Sequence, residues 1–378
     1  MNDSLLNCVY CLPGDVSTFP VGKGSEEHVL IAALGGKKVT RNLCCQGCNN
    51  RLGTELDAEF AEVFAPIANM FNAKRARKGD APTLATEEKL DGHPLQILPG
   101  LKFSLRGSKI QETELADGNI GLTVSANTRE DVEKLMANYL KKFPDKKFSI
   151  EGTRFVSKST AAPLYSAELK VGEIEKRCAA KMMLALLATS VAPERLRSDS
   201  LRDIVCYING SLEIGGNFQP WLNMSLPERK PEYEFGHALM VVADRERSLL
   251  IGMLQIYGTI AITGIMSECW DGPDIGIVYW VDPVAGASET IKFAPHEISR
   301  SYPRRRSPSD HEHRESLMRM MQEIQRRHRD ARTEELIDGL VALKESSLPD
   351  DQKERAADQL IESYVMDVLR IDHERELP

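Results

Sequence analysis

Apolar positions along the chain fall into two rhythms. From Asn49, in NRLGTELDAEFAEVFAPIANMF, the residues Leu52, Leu56, Phe60, Val63 and Phe64 return every three to four positions, which predicts an amphipathic helix. Gly53 lies in its first turn and Pro66 predicts a kink or break. NTREDVEKLMANYLKKFPDK opens on Asn127 and Thr128 as caps, carries Glu130 and Asp131 early and ends in lysines, which predicts a second helix. In AELKVGEIEKRCAAKMMLALLATSVAPE the residues Ile174, Cys178, Met182 and Leu186 are spaced for a third. Its AKMMLALLA portion is apolar almost all round, as expected of a helix at the centre of a core. SLRDIVCYINGS predicts a shorter helix ended by Gly210. PLQILPG, LKFSLRG, NIGLTVSA and KFSIEG read as strands, and the stretch from Glu234 to Glu289 reads as a meander of longer ones. Beyond Ser301, ESLMRMMQEIQRRHRD, TEELIDGLVALKES and DDQKERAADQLIESYVMDVLRI each carry an apolar stripe.

This order of elements predicts an α+β chain. An N-terminal zinc-bound ββα domain spans 1–72, a polar linker 73–93, a larger α+β domain with an antiparallel sheet 94–300, and an Arg-rich segment with amphipathic helices 301–378. The zinc follows from two Cys-x-x-Cys pairs, Cys8/Cys11 and Cys45/Cys48. A two-residue gap lets both sulfurs of a pair reach one ion, and zinc favours four tetrahedral thiolates. Taken alone, such pairs fit a purely structural zinc ribbon equally well.

The residues between and around the knuckles carry more. Glu27-His28-Val29 is followed by an apolar run and Gly35-Gly36, then Asn42-Leu43, then Cys45-Gln46-Gly47-Cys48-Asn49, with Asp57 further on. This stretch resembles an HNH endonuclease of the kind whose ββα-metal core is clamped by a four-cysteine zinc. It departs from the commonest pattern in having Ala32 where many members carry Pro and Asn49 where the last letter is His. The resemblance implies His28 as general base, Glu27 and Asn49 as ligands of one Mg2+ or Mn2+, and Asn42 bracing a loop and orienting the histidine. Asp57 is a further candidate ligand. These residue types suit phosphodiester hydrolysis: neutral imidazole titrates near working pH, and a hard cation neutralises charge growing on the phosphorane.

The net charge of −8 argues at first against nucleic acid as partner, but its distribution reverses that. Lys37, Lys38, Arg41 and Arg51 lie in a stretch with no acid, and Lys74-Arg75-Ala76-Arg77-Lys78 follows the motif. Such stretches beside the candidate site are what phosphate contact requires, so DNA is the expected partner. The C-terminal helices call for a packing surface: the chain's own sheet, a second copy or another protein. Two other classes remain open on sequence, a zinc-stabilised nucleic-acid-binding or regulatory protein without cleavage, and a zinc-scaffolded interaction module. No run approaches eighteen apolar residues, so no membrane span is expected, and scattered apolar-context cysteines (Cys44, Cys178, Cys206, Cys269) suit a reducing cytoplasm.

Overall fold

The computed structural model describes residues 5–12, 14, 16–77, 79–90, 92–115, 120–143, 169–220, 226–227, 230–302 and 308–373. The KFSIEG strand expected from sequence lies outside them. Two units are present. One comprises Met1–Phe64, Ala73–Asp80 and Lys170–Pro378, the other Ala65–Asn72 and Ala81–Leu169. The fold is mixed helix and sheet, and every strand pairing among the described residues is antiparallel.

The chain begins with a small pair, β1 (Leu5–Asn7) and β2 (Thr18–Pro20), that carries the first cysteine knuckle. A second pair, β3 (Glu27–His28) and β4 (Val39–Thr40), is only two residues long on each side, with Glu27 opposite Thr40 and His28 opposite Val39. The apolar run between them folds into a buried loop with one 3-10 turn, Ala32–Leu34, rather than extending the hairpin. Helix α1 (Gln46–Leu52) starts inside the second knuckle, three residues earlier than its apolar period suggests. It passes through a π turn, Gly53–Asp57, into α2 (Ala58–Met70). Pro66 lies within α2 and the helix continues past it, so the expected break does not occur. A π turn adds a residue to the helical ring and rotates everything after it, which changes the direction in which Asp57 points.

The second unit holds β5 (Leu84–Leu90), β6 (His93–Leu98) and β7 (Lys102–Leu105) as one sheet. β8 (Lys109–Glu114) and β9 (Ile120–Ser125) form a hairpin. Helix α3 (Arg129–Lys142) follows, capped by the Thr128 hydroxyl, which accepts from Asp131 N at 3.1 Å. The segment read from sequence as a polar linker is thus divided: 73–80 falls in the first unit, and Leu84–Leu90 is the first strand of the second. Glu87, Glu88 and Lys89 stand consecutively in this edge strand, so no apolar–polar alternation marks it in the sequence. Asn69 is fully buried in this unit, giving Nδ2 to Pro82 O and Ile97 O and taking Leu101 N on Oδ1.

The first unit resumes at α4 (Glu173–Leu187) and α5 (Arg202–Ile208). A six-stranded sheet then forms from β10 (Phe218–Pro220), β11 (His237–Asp244), β12 (Leu249–Ile256), β13 (Ile260–Ser267), β14 (Ile275–Asp282) and β15 (Ala287–Lys292), in the order β10-β13-β12-β11-β14-β15. Helix α4 packs against β11, β12 and β13, and from Cys178 to Leu187 every residue is buried. Its closeness explains Gly252 on β12, where a Cβ would sit 2.4 Å from the Met183 sulfur. On the other face, Trp280 stacks on Tyr233 in a core with Met240, Val242, Met253 and Ile298. After α6 (His296–Ser301), helices α7 (Asp310–Glu345) and α8 (Asp350–His373) fold back on one another, joined by a Thr333–Tyr364 hydroxyl contact of 3.0 Å.

Within the first unit the N-terminal segment is tied to the later elements. Arg51 donates to Asn209 Oδ1 at 2.6 Å, Arg197 to the carbonyls of Asn7 and Asn42, and the backbone N–H groups of Lys37 and Lys38 to the Tyr279 hydroxyl.

Candidate functional site

The four knuckle sulfurs converge, all within 4.8 Å of one another. Cys11 Sγ lies 3.9 Å from Cys45 Sγ and 3.7 Å from Cys48 Sγ. A zinc tetrahedron with bonds of about 2.3 Å has sulfur–sulfur edges of about 3.8 Å, so the cluster is compatible with a structural zinc. Backbone N–H groups of Cys45 and Ser17 approach the sulfurs of Cys8 and Cys11 at 3.3 and 3.5 Å. Among the described residues, no other set of three or more His, Cys, Asp and Glu side chains converges in this way.

Beside the cluster is a cleft of about 1020 Å³, lined by Glu26, Glu27, His28, Asn49, Asp57 and Arg77 among others. His28 stands at the end of β3. Its Nδ1 lies 3.1 Å from Gly36 O, and since a carbonyl only accepts, Nδ1 carries the proton and Nε2 keeps its lone pair. Burial, and then the charge of Arg77, hold this imidazole below the usual histidine range, with the Gly36 carbonyl pulling the other way. The ring is therefore neutral near pH 7.

Asn49, on α1, gives Nδ2 to Ser25 Oγ at 2.7 Å and to Glu26 O at 2.9 Å. Those bonds clamp the approach to β3 and leave Oδ1 as the atom available to a cation. Asn42 sits elsewhere: its Oδ1 takes the Gly22 N–H at 2.8 Å. It braces the loop after β2, and the histidine ring is held by Gly36 instead.

Glu27 is 1% exposed, and its Oε1 is 2.8 Å from Lys181 Nζ on α4. Cys44 points its thiol at the other oxygen, at 3.7 Å. Asp57, brought round by the π turn, has both oxygens 2.7 Å from the same Nζ while its side chain stays 26% exposed. Burial alone works against the Lys181 charge, but the two carboxylates outweigh it and hold the ammonium above the ordinary lysine range. For Glu27 burial is the larger influence and pushes its carboxyl up, against the pull of Lys181.

The fold places Glu27, His28, Asn49 and Asp57 on one cleft, and Lys181, which the sequence does not single out, pairs with two of them. The signal was present: a lysine inside an otherwise apolar helical run must be paired if it is buried.

A pair of cysteine knuckles packed on a short ββ hairpin and a helix, with histidine, amide and carboxylates in one cleft, defines a cysteine-knuckle ββα domain. Residues 8–65 match a family model described as HNH endonuclease, so the N-terminal domain is an HNH domain, as the motif resemblance implied. No curated protein and no solved structure matches the chain.

Proposed function

We propose that this chain is an HNH-type endonuclease that hydrolyses phosphodiester bonds of DNA. The observation that carries the reading is His28: a neutral imidazole with Nδ1 fixed by Gly36 O, sharing a cleft with Asn49, Glu27 and Asp57. Nε2 takes the proton from an attacking water. Glu27, Asn49 and Asp57 are the oxygen donors that would hold one Mg2+ or Mn2+; with Glu27 enclosed, Asn49 Oδ1 and the Asp57 carboxylate have the open side. The cation supplies charge neutralisation at the phosphorane and leaving oxygen when bound. Lys23, Arg41 and Arg77 line the same cleft and suit a polyanionic substrate. Zinc at the four cysteines is structural. The other four cysteines, Cys44, Cys178, Cys206 and Cys269, are free thiols, which fits a reducing cytoplasm, and no helix of the described residues is long and apolar enough to cross a membrane. Met318, Ile337 and Val341 on α7 and Ile361 on α8 stay exposed, as contact with a second copy or a partner protein would require.

Plasmid nicking by the purified protein in Mg2+ and in Mn2+, with His28→Ala alongside, tests the reading. Cleavage by the wild type alone supports it. Equal cleavage by both overturns the assignment of the base. Salt-dependent DNA binding without cleavage by either identifies a non-cleaving nucleic-acid-binding protein instead.

A further inference from the structure

Lys181 lies outside the matched domain, in the middle of a helix whose neighbours from Cys178 to Leu187 are all buried. Its side chain is 0% exposed. An ammonium has three donors, and three carboxylate oxygens stand within reach: Glu27 Oε1 at 2.8 Å, Asp57 Oδ1 at 2.7 Å and Asp57 Oδ2 at 2.7 Å. One turn earlier on the same helix, Cys178 Sγ lies 3.5 Å from Asp57 Oδ1.

That arrangement decides between roles. With all three donors taken, Lys181 has none left for a substrate, so it does not act on the reacting atoms. Nor does stability account for it well. A buried ion pair is weak evidence for stability, because well-packed apolar residues in its place are often neutral or better. What the lysine does is hold two carboxylates, one from β3 and one from the end of the π turn, against a single ammonium. It also fixes the side chain of Asp57, which reaches the cleft beside His28.

We infer that Lys181 is a positioning residue of the HNH site, supplied from outside the HNH domain: its ammonium locks Glu27 and Asp57 in place and leaves the pair one net negative charge for a divalent cation. The inference rests on the nuclease reading above. It predicts a combination that mere loosening of the fold would not give. Removing the ammonium leaves more negative charge at the site, so a cation binds more tightly. The carboxylates lose their geometry at the same time, so turnover falls.

The experiment uses the full-length zinc-loaded protein with Lys181→Met and Lys181→Arg. Should Lys181→Met fail to retain zinc and a cooperative melt, Lys181→Gln, which also removes the charge but keeps a polar head in the pocket, takes its place. Mn2+ binding is read from paramagnetic broadening of the His28 ring signals, and nicking gives kcat and KM at saturating metal. The expected result for Lys181→Met is a Mn2+ dissociation constant lowered on the order of ten-fold. With it, kcat falls about 100-fold, the cost of roughly 1 Å of misplacement, and KM for DNA stays within about two-fold. Lys181→Arg keeps the charge and restores the Mn2+ constant towards wild type. Weaker Mn2+ binding, or turnover matching the parent protein, overturns the inference. A wild type that neither nicks nor broadens His28 with Mn2+ overturns the nuclease reading itself, and the inference with it.

Discussion

The Gly35-Gly36 pair offers a sharp test of how the loop governs the histidine. A Cβ on Gly36 would lie 1.9 Å from Leu30 O, 2.6 Å from Leu30 C and 2.9 Å from Leu30 Cβ. Two of these three atoms are backbone, and Leu30 is 1% exposed, so neither a rotamer change nor a surface shift relieves the contact. The oxygen contact must open by about 1 Å to reach the 3.0 Å limit of real Cβ contacts. Overpacking of this kind costs about 1–3 kcal/mol. Gly36 is also the residue whose carbonyl holds His28 Nδ1 at 3.1 Å, and a displacement of that size takes the acceptor out of hydrogen-bond range. Gly36→Ala should therefore lower the melting temperature of the N-terminal domain and slow nicking by about 100-fold. His28 should also lose its single tautomer in long-range nitrogen–proton spectra. Gly47→Ala is the internal control. Gly47 is helical with nothing within 4 Å of its would-be Cβ, so alanine there should stabilise by up to about 1 kcal/mol. A Gly36→Ala protein that melts and cleaves like the wild type refutes the reasoning.

Other outcomes follow from the same geometry. Cys45→Ser should release zinc and unfold the N-terminal domain, since structural zinc supplies much of the folding free energy of small domains; unchanged zinc content and melting would remove the four-cysteine assignment. Arg77→Ala should lower the slope of log affinity for DNA against log salt by about 1, as loss of one phosphate contact requires; an unaltered slope places Arg77 off the DNA path. His237 is fully buried, and burial depresses its pKa to about 3, while the unfolded state titrates near 6.5. The unfolded state thus binds more protons between those values. Stability is lost as pH falls from 6.5 towards 3, at about 1.4 kcal/mol per pH unit. Urea midpoints followed by tryptophan fluorescence should show that extra slope in wild type and not in His237→Phe. Parallel pH profiles would exclude it.

What the sequence discloses is the chemistry carried by close spacing. Cys8 with Cys11, Cys45 with Cys48, and the Glu27-His28 pair announce themselves because their partners lie within three positions, and Asn49 because it adjoins a knuckle. The capped helix at Thr128 and the all-round apolar α4 were legible for the same local reason. The rest depended on three dimensions. Lys181 meets Asp57 across 124 residues, and no periodicity encodes that meeting. The π turn that rotates Asp57 leaves no trace in the apolar spacing, and Leu84–Leu90 is too polar to read as a strand. The role implied for Asn42 was divided by the fold, with Gly22 taking the amide and Gly36 the ring.

The distance from Asp57 to Lys181 also sets a clock. On a ribosome adding about 5–20 residues per second, the lysine is made roughly 6–25 s after the aspartate. Until α4 emerges, the zinc knuckles can form while Glu27 and Asp57 remain without their shared counter-charge. A nascent or truncated chain that ends before α4 therefore carries the whole recognisable motif and an unfinished site.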